Sequence, residues 1–116
     1  MQNLYKILAL RNKRKNKYFQ NPIYYGKKIR QVALKLLPDA RVLVFGSVVK
    51  GEYHVGSDFD ILVITNKKFE DSFAQAQIKV EILKHFPDNL FEIHLVNKQQ
   101  FGDWYSRFIK KDYIEV

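Results

Sequence analysis

The part of the sequence that most constrains this chain is residues 46–64, GSVVKGEYHVGSDFDILVI. It places a Gly-Ser turn, Gly46 and Ser47, upstream of two acids, Asp58 and Asp60, that open an apolar run. Alternate residues of a β-strand point to one face, so the spacing predicts that the two acids lie side by side, about 7 Å apart at the backbone. Two like charges held against an apolar sheet repel each other and lose hydration, and a divalent cation between them reverses that cost. Hard oxygen ligands of this kind suit Mg²⁺.

The Gly-Ser turn predicts a phosphate-binding half that complements the acids. Gly46 allows a sharp turn and lets the backbone come close to a ligand. The N–H groups that follow it, together with the Ser47 hydroxyl, can hold a phosphate at the start of a short helix. Lys50 is a candidate for an additional positive charge near the phosphates, with a solvated side chain as the alternative. A metal-binding half beside a phosphate-binding half indicates phosphoryl or nucleotidyl transfer.

The same residues resemble the signature of the minimal nucleotidyltransferases of the DNA polymerase β superfamily. That signature is Gly-Ser, a spacer, and Asp-x-Asp leading into an apolar strand, and here ten residues separate Ser47 from Asp58. Lys50 and Ser57 also match the basic and small positions of the signature. The resemblance implies an α/β (α+β) fold, a small mixed sheet flanked by helices, and an NTP substrate, expected to be ATP, bound with one or two Mg²⁺ ions.

The resemblance also implies a role for each candidate site residue. A third acid, on the strand after the long helix, completes the metal site in that family, and Glu92 is the best match. The alternative is that Glu92 is peripheral and His94, which shares its face of the strand, lines the pocket. The expected metal-binding and catalytic residues are Asp58, Asp60 and Glu92, and the expected nucleotide-binding residues are Gly46, Ser47, Lys50 and Ser57.

Three functions are compatible with these residues. Small stand-alone chains of this kind resemble the antitoxin partners of HEPN-type ribonuclease toxins, which implies that a partner protein receives AMP on a hydroxyl group. The second function is a catalytically weak or inactive module that neutralises its partner by docking alone. The third is nucleic-acid binding, and whether copies of the chain associate with one another stays open.

The charge distribution is the basis of the third function. Residues 1–41 hold 11 of the 20 Lys and Arg residues but only one acid, Asp39. Such polarity is typical of a chain with an electrostatic partner. The cations of residues 11–17 form either a solvated surface or a phosphate-binding surface, in the second case with Tyr18 and Phe19 available for stacking on bases.

Length and composition predict one globular domain at 23–116, preceded by a basic arm or helix at 1–22. The chain has 116 residues, 47% of them hydrophobic, and no cysteine, so disulfides are excluded and a reducing cytoplasm is the expected location. Its apolar runs are too short to span a membrane. Periodicity predicts helices at 23–37 and 69–86 and a final helix after Asn97, with strands at 41–45, 58–65 and 90–96.

Overall fold

The computed structural model describes residues 3–52, 58–86, 90–109 and 112–116, apart from the side chains of Trp104 and Phe108. The helices are α1 (Leu4–Phe19), α2 (Pro22–Leu36), α3 (Ser47–Lys50), α4 (Ser72–Leu83), α5 (Lys98–Gln100) and α6 (Ser106–Ile109), with a π-helical turn at Phe101–Tyr105 between the last two. The strands are β1 (Arg41–Phe45), β2 (Phe59–Ile64), β3 (Phe91–Val96) and β4 (Tyr113–Glu115). Within the described ranges, no helix is both long and apolar enough to cross a bilayer.

The four strands form one mixed sheet in the order β3-β2-β1-β4. β1 runs antiparallel to both β2 and β4, whereas β2 and β3 are parallel. A parallel pair needs a long crossover connection, and the segment containing α4 provides it. The predicted fold class, a small mixed sheet flanked by helices, is therefore confirmed.

Helices cover both faces of the sheet. Phe59, Ile61 and Val63 of β2 point to one face, where they pack with residues of α1, α2 and α4. Leu62 and Ile64 point to the other face, where they pack with Ile109 of α6 and with the π-helical turn. Because β2 is buried on both sides, its sequence is an almost continuous apolar run, and Asp60 is its only interruption.

The N-terminal segment, for which the sequence left an arm or a helix open, is helical. α1 continues through the basic residues to Phe19, although the apolar pattern breaks near residue 11. Tyr18 and Phe19 are buried, the first against Tyr25 with ring centroids 4.4 Å apart and the second against Phe59 at 5.5 Å. The expectation that these two rings are available for stacking on bases was wrong, because the protein core already covers them.

The predicted central helix is shorter than expected. The pattern indicated 69–86, but α4 begins after its cap Asp71, whose side chain accepts a hydrogen bond from the Ala74 N–H at 2.9 Å. Phe73 and Val80 belong to the apolar spacing from which this helix was predicted and were expected to face the core, but they are 67% and 62% exposed. Ile82 is the fully buried residue of this helix.

The C-terminal segment contains two features that were not predicted. The first is β4, which pairs with β1 and is also held by Arg41, whose Nε and Nη2 donate to the Glu115 carboxylate at 3.1 and 2.6 Å. The second is the π-helical turn within the last helix. The final helix begins after Asn97 as predicted, and Asn97 and Gln100 form a reciprocal capping box at its start.

Candidate active site

Two carboxylates face each other across the parallel strands β2 and β3. The register pairs Asp60 with Glu92, and both residues lie next to the first residue of their strands. They point to the same face as Leu62 and Ile64 because side chains alternate along a strand. Asp60 is partly buried and Glu92 is about half exposed, so the pair is open to solvent on the Glu92 side.

His94 completes this arrangement from the same face of β3. Its ring lies between Phe45 and Tyr105, with centroid separations of 5.4 and 6.3 Å. The Nε2 atom is 3.5 Å from Asp60 Oδ1 and 3.8 Å from Glu92 Oε1. The Nε2 atom is fully buried, and it forms no hydrogen bond with any residue in the described part of the chain. We refer to Asp60, Glu92 and His94 as the acid–histidine cluster.

The acid–histidine cluster has the composition of a cation site. One ligand atom from each residue can be chosen so that all three atoms lie within 4.8 Å of one another. Two carboxylates this close repel each other, and a buried imidazole nitrogen without a partner is unfavourable. A divalent metal ion would relieve both costs, because it accepts electron pairs from the two oxygens and the nitrogen. The three residues therefore fit such an ion.

Asp58 lies apart from the acid–histidine cluster. It precedes β2, is exposed, and is not among the three residues with converging ligand atoms. Its electrostatic neighbour is Lys15 of α1. Burial lowers the pKa of Lys15 below its ordinary value, while Asp58 opposes that shift and Arg11 adds to it. The basic helix α1 thus reaches the edge of the sheet where the first aspartate stands.

Gly46 brings the turn after β1 against Asp60. Phe45 is the register partner of Asp60, so the next residue leaves the sheet beside that carboxylate. Gly46 has φ 82° and ψ −152°, a conformation that is nearly restricted to glycine. A Cβ at this position would lie 2.7 Å from Asp60 Oδ2. Glycine is therefore required here both for its backbone angles and for its lack of a side chain.

Two more of the predicted phosphate-binding residues, Ser47 and Lys50, follow this turn in α3. Ser47 begins α3. The first backbone hydrogen bond of this helix is donated by the Val49 N–H to the Gly46 carbonyl at 3.1 Å. The N–H groups of Ser47 and Val48 therefore take no part in the hydrogen bonding within the helix. Lys50 is exposed, and its Nζ lies 3.6 Å from Asp112 Oδ2. Ser57, the fourth predicted nucleotide-binding residue, lies outside the described residues.

Two features of this site were not foreseen from the sequence. The sequence placed His94 on the face of Glu92 but offered the two residues as alternatives, whereas the structure places them in one cluster. The electrostatic attraction between Lys15 and Asp58 joins residues more than forty positions apart, and no local pattern predicts it. The shared parity of Glu92 and His94 was the one available signal for the first feature.

A separate concavity lies at the opposite end of strands β2 and β3, beside their last residues. It has a volume of about 710 Å³ and is lined by residues 65–69, Gln75 and residues 95–100. None of the predicted site residues belongs to its lining. We therefore assign the chemistry to the acid–histidine cluster and the Gly46 turn.

Comparison with known proteins identifies the family. The sequence matches the family model described as "Nucleotidyltransferase domain" over residues 27–116. The chain belongs to the nucleotidyltransferase domain family. This match confirms the resemblance drawn from the Gly-Ser and Asp-x-Asp signature, and it makes the protein a nucleotidyltransferase, an enzyme that transfers a nucleoside monophosphate. The match begins within α2, so α1 precedes the part of the chain that the family model covers.

Solved structures support the same family and fold. One, reported as "Crystal structure of putative nucleotidyltransferase", is 33% identical to this nucleotidyltransferase, with a TM-score of 0.63, and the alignment covers 79% of this chain and 97% of the other. A second, reported as a "putative nucleotidyltransferase from Sulfolobus solfataricus", is 18% identical with a TM-score of 0.61, covering 85% and 82% of the two chains, and it supports the fold alone. No curated protein matches the sequence.

Proposed function

We propose that this nucleotidyltransferase transfers AMP from ATP to a hydroxyl group of a partner protein, as small transferases paired with HEPN toxins do, using a divalent metal ion. The observation that carries the proposal is the convergence of Asp60 and Glu92 on one face of the sheet beside the Gly46 turn. Acids that converge next to a turn able to approach a phosphate suit the metal–triphosphate complex that nucleotidyl transfer requires.

The proposed roles follow from where the charges lie. Asp60 and Glu92 hold the metal ion, and Asp58, just before β2, contributes from the same edge. When bound, the ion offsets the negative charge that develops on the α-phosphate. The Ser47 hydroxyl and the N–H groups of Ser47 and Val48 hold the terminal phosphates. Lys50 leaves Asp112 and pairs with the departing pyrophosphate, an exchange that an exposed ion pair permits at low cost.

The transfer itself needs an acceptor and a base. The acceptor hydroxyl oxygen forms a bond to the α-phosphorus while the bond from that phosphorus to the pyrophosphate oxygen breaks. The hydroxyl proton passes to the Glu92 carboxylate, which is about half exposed and acts as the general base. The products are the adenylylated acceptor and pyrophosphate.

Support for a protein acceptor comes from α1. This helix presents large apolar side chains to solvent, with exposures from 42% for Leu8 to 83% for Tyr5. Leu4, Ile7 and Leu8 follow helical spacing, so they form a stripe rather than scattered positions. Contiguous exposed apolar surface often marks a protein-binding site. The stripe lies at the start of α1 and Lys15, the electrostatic neighbour of Asp58, lies near its end, so a partner reaching the site from the stripe would lie along the length of α1.

The proposal is tested by incubating the purified protein and its co-purifying partner with α-labelled NTPs, in Mg²⁺ or Mn²⁺. We expect label on the partner from ATP, and loss of at least about 100-fold in rate for Asp60→Asn, since a metal ligand is removed. Glu70→Gln is the matched control: it is also a loss of one negative charge, but Glu70 is exposed and precedes α4, after the other end of β2.

Two results would contradict the proposal. One is the absence of transfer from any NTP by the wild-type protein. The other is full transfer activity in Asp60→Asn. If Asp60→Asn instead loses transfer yet neutralises the partner as well as wild type, docking alone accounts for neutralisation.

A second candidate function is binding of a nucleic acid. The supporting observation is that α1 and α2 together carry ten Lys and Arg residues and no acid. Phosphate groups are attracted to such a surface without any need for base stacking. Because α1 reaches Asp58 through Lys15, a nucleic acid lying along it would pass the candidate active site.

A further inference from the structure

We propose that the metal site of this protein includes the imidazole of His94, and that it therefore selects a transition-metal dication such as Mn²⁺ over Mg²⁺. This inference rests on the proposed function for the presence of a metal ion and goes beyond it in naming the ligand set and the class of ion. The residues concerned are the acid–histidine cluster, Asp60, Glu92 and His94.

The state of His94 Nε2 is the first argument. Buried polar atoms in folded proteins nearly always have a hydrogen-bond partner. This nitrogen has none within the described ranges, even though two carboxylate oxygens lie 3.5 and 3.8 Å away. The imidazole nitrogen faces two carboxylates without a hydrogen bond to either. It is therefore positioned to act as the third ligand of a cation that binds between them.

The fixed orientation of the ring is the second argument. Phe45 and Tyr105 contact the imidazole from β1 and from the π-helical turn, so three separate elements determine where Nε2 points. Ligands held by packing lose little conformational entropy when an ion binds. The ring is therefore positioned before the ion arrives.

The choice of ion follows from the donor atoms. Mg²⁺ takes oxygen ligands and strongly prefers water and carboxylate to nitrogen. Imidazole nitrogen suits the first-row transition ions, and Mn²⁺ also accepts carboxylate oxygens. Two oxygens and one nitrogen thus favour Mn²⁺ and the later transition ions. Asp58 stands outside the acid–histidine cluster, and an oxygen contributed by it would leave the His94 nitrogen as the donor that discriminates between the two ions.

The inference is tested by metal binding in the absence of nucleotide, with Mn²⁺ followed by electron paramagnetic resonance and Mg²⁺ added as competitor. We expect wild type to prefer Mn²⁺ by about tenfold or more and His94→Ala to lose at least about tenfold in Mn²⁺ affinity. His94→Gln replaces the nitrogen donor by an amide oxygen, so it should retain binding and lose most of the preference for Mn²⁺. His85→Ala is the matched control, because His85 is exposed in the turn after α4.

A direct readout of the ligand is the proton spectrum of the histidine rings. Bound Mn²⁺ should broaden the His94 resonances at a lower occupancy than those of His85. Unchanged Mn²⁺ affinity in folded His94→Ala would overturn the inference, as would an undiminished preference for Mn²⁺ in His94→Gln or equal affinity of wild type for Mn²⁺ and Mg²⁺. Mn²⁺ selectivity without any nucleotide transfer would uphold the inference and contradict the proposed function, and transfer with an unselective site would do the reverse.

Discussion

At the scale of single residues, Gly46 is the position where backbone and chemistry depend on each other. Gly46→Ala adds a Cβ that would lie 2.7 Å from Asp60 Oδ2, and it places alanine at φ 82° and ψ −152°. We expect the free energy of unfolding to fall by about 1–3 kcal/mol, the usual cost of such backbone angles. We also expect metal binding to weaken, because the Asp60 carboxylate must turn away from Glu92 and His94. Urea denaturation and metal titration measure the two effects.

The substitution Gly51→Ala separates the effect on stability from the effect on metal binding. It also has a positive φ, 73°, but an added Cβ would meet nothing within 4 Å. Gly51→Ala should therefore lower stability by roughly 1–2 kcal/mol through its left-handed backbone alone and leave metal affinity as in wild type. Equal metal affinities in the two variants would show that the contact between Gly46 and Asp60 is unimportant.

The residues of the candidate site were predictable to the extent that they depend on local patterns. The Gly-Ser turn and Asp60 could be read from the sequence because a short apolar strand ends at the turn and another continues from the acid. The position of Glu92 opposite Asp60 depends on the register between two strands separated by α4, and periodicity gives the face of a residue but not its register. His94 was offered as an alternative to Glu92 for this reason.

At the scale of elements, α1 is attached to the sheet through its last turn. Phe19 is 2% exposed and its ring contacts Phe59 of β2, whereas residues nearer the start of the helix are exposed. Phe19→Ala should cost about 3–5 kcal/mol of stability, the usual range for removing a buried aromatic ring. Chemical denaturation measures the change.

Tyr5→Ala serves as the control on the same helix, since Tyr5 is 83% exposed. This substitution should change stability by less than about 0.5 kcal/mol. If Phe19→Ala were equally mild, α1 would be attached to the sheet by contacts other than its last turn.

Elements with long periodic patterns were predicted best. α2 and the strands β1 to β3 lie close to their expected positions because their apolar residues recur at a clear period. β4 has three residues, too few to establish an alternation, and its pairing with β1 depends on a return of the chain that local sequence does not encode. The outward position of Phe73 and Val80 shows that helical spacing alone does not identify the buried face.

At the scale of the whole molecule, the uneven charge distribution leads to a test of the second candidate function, nucleic-acid binding. Arg11, Lys13 and Lys17 of α1 are exposed. If α1 binds nucleic acid, changing all three to Gln should weaken binding to single-stranded RNA and reduce the slope of log affinity against log salt by about 0.7 for each phosphate that the variant no longer neutralises. Fluorescence anisotropy over a salt series provides the measurement.

A matched control lies at the opposite end of strands β2 and β3. Lys67, Lys68 and Lys98 line the separate concavity there, and their replacement by Gln changes the net charge by the same amount. A reduction in slope that is equal in both triple variants would indicate attraction to total charge rather than a surface on α1. Binding that does not depend on salt would contradict the second candidate function.

The π-helical turn at Phe101–Tyr105 changes the directions in which the side chains before and after it point around the helix axis. In a regular α-helix, residues eight apart are about 80° out of phase, so Phe101 and Ile109 would diverge around the axis. One extra residue in a wide turn reduces the offset to about 20°, and both side chains then reach the same apolar cluster on the sheet. Deletion of one residue between Phe101 and Ile109 would restore a regular α-helix and leave Ile109 packed against the sheet. Deletion of a residue elsewhere in that helix would instead turn the neighbouring side chains away from the sheet.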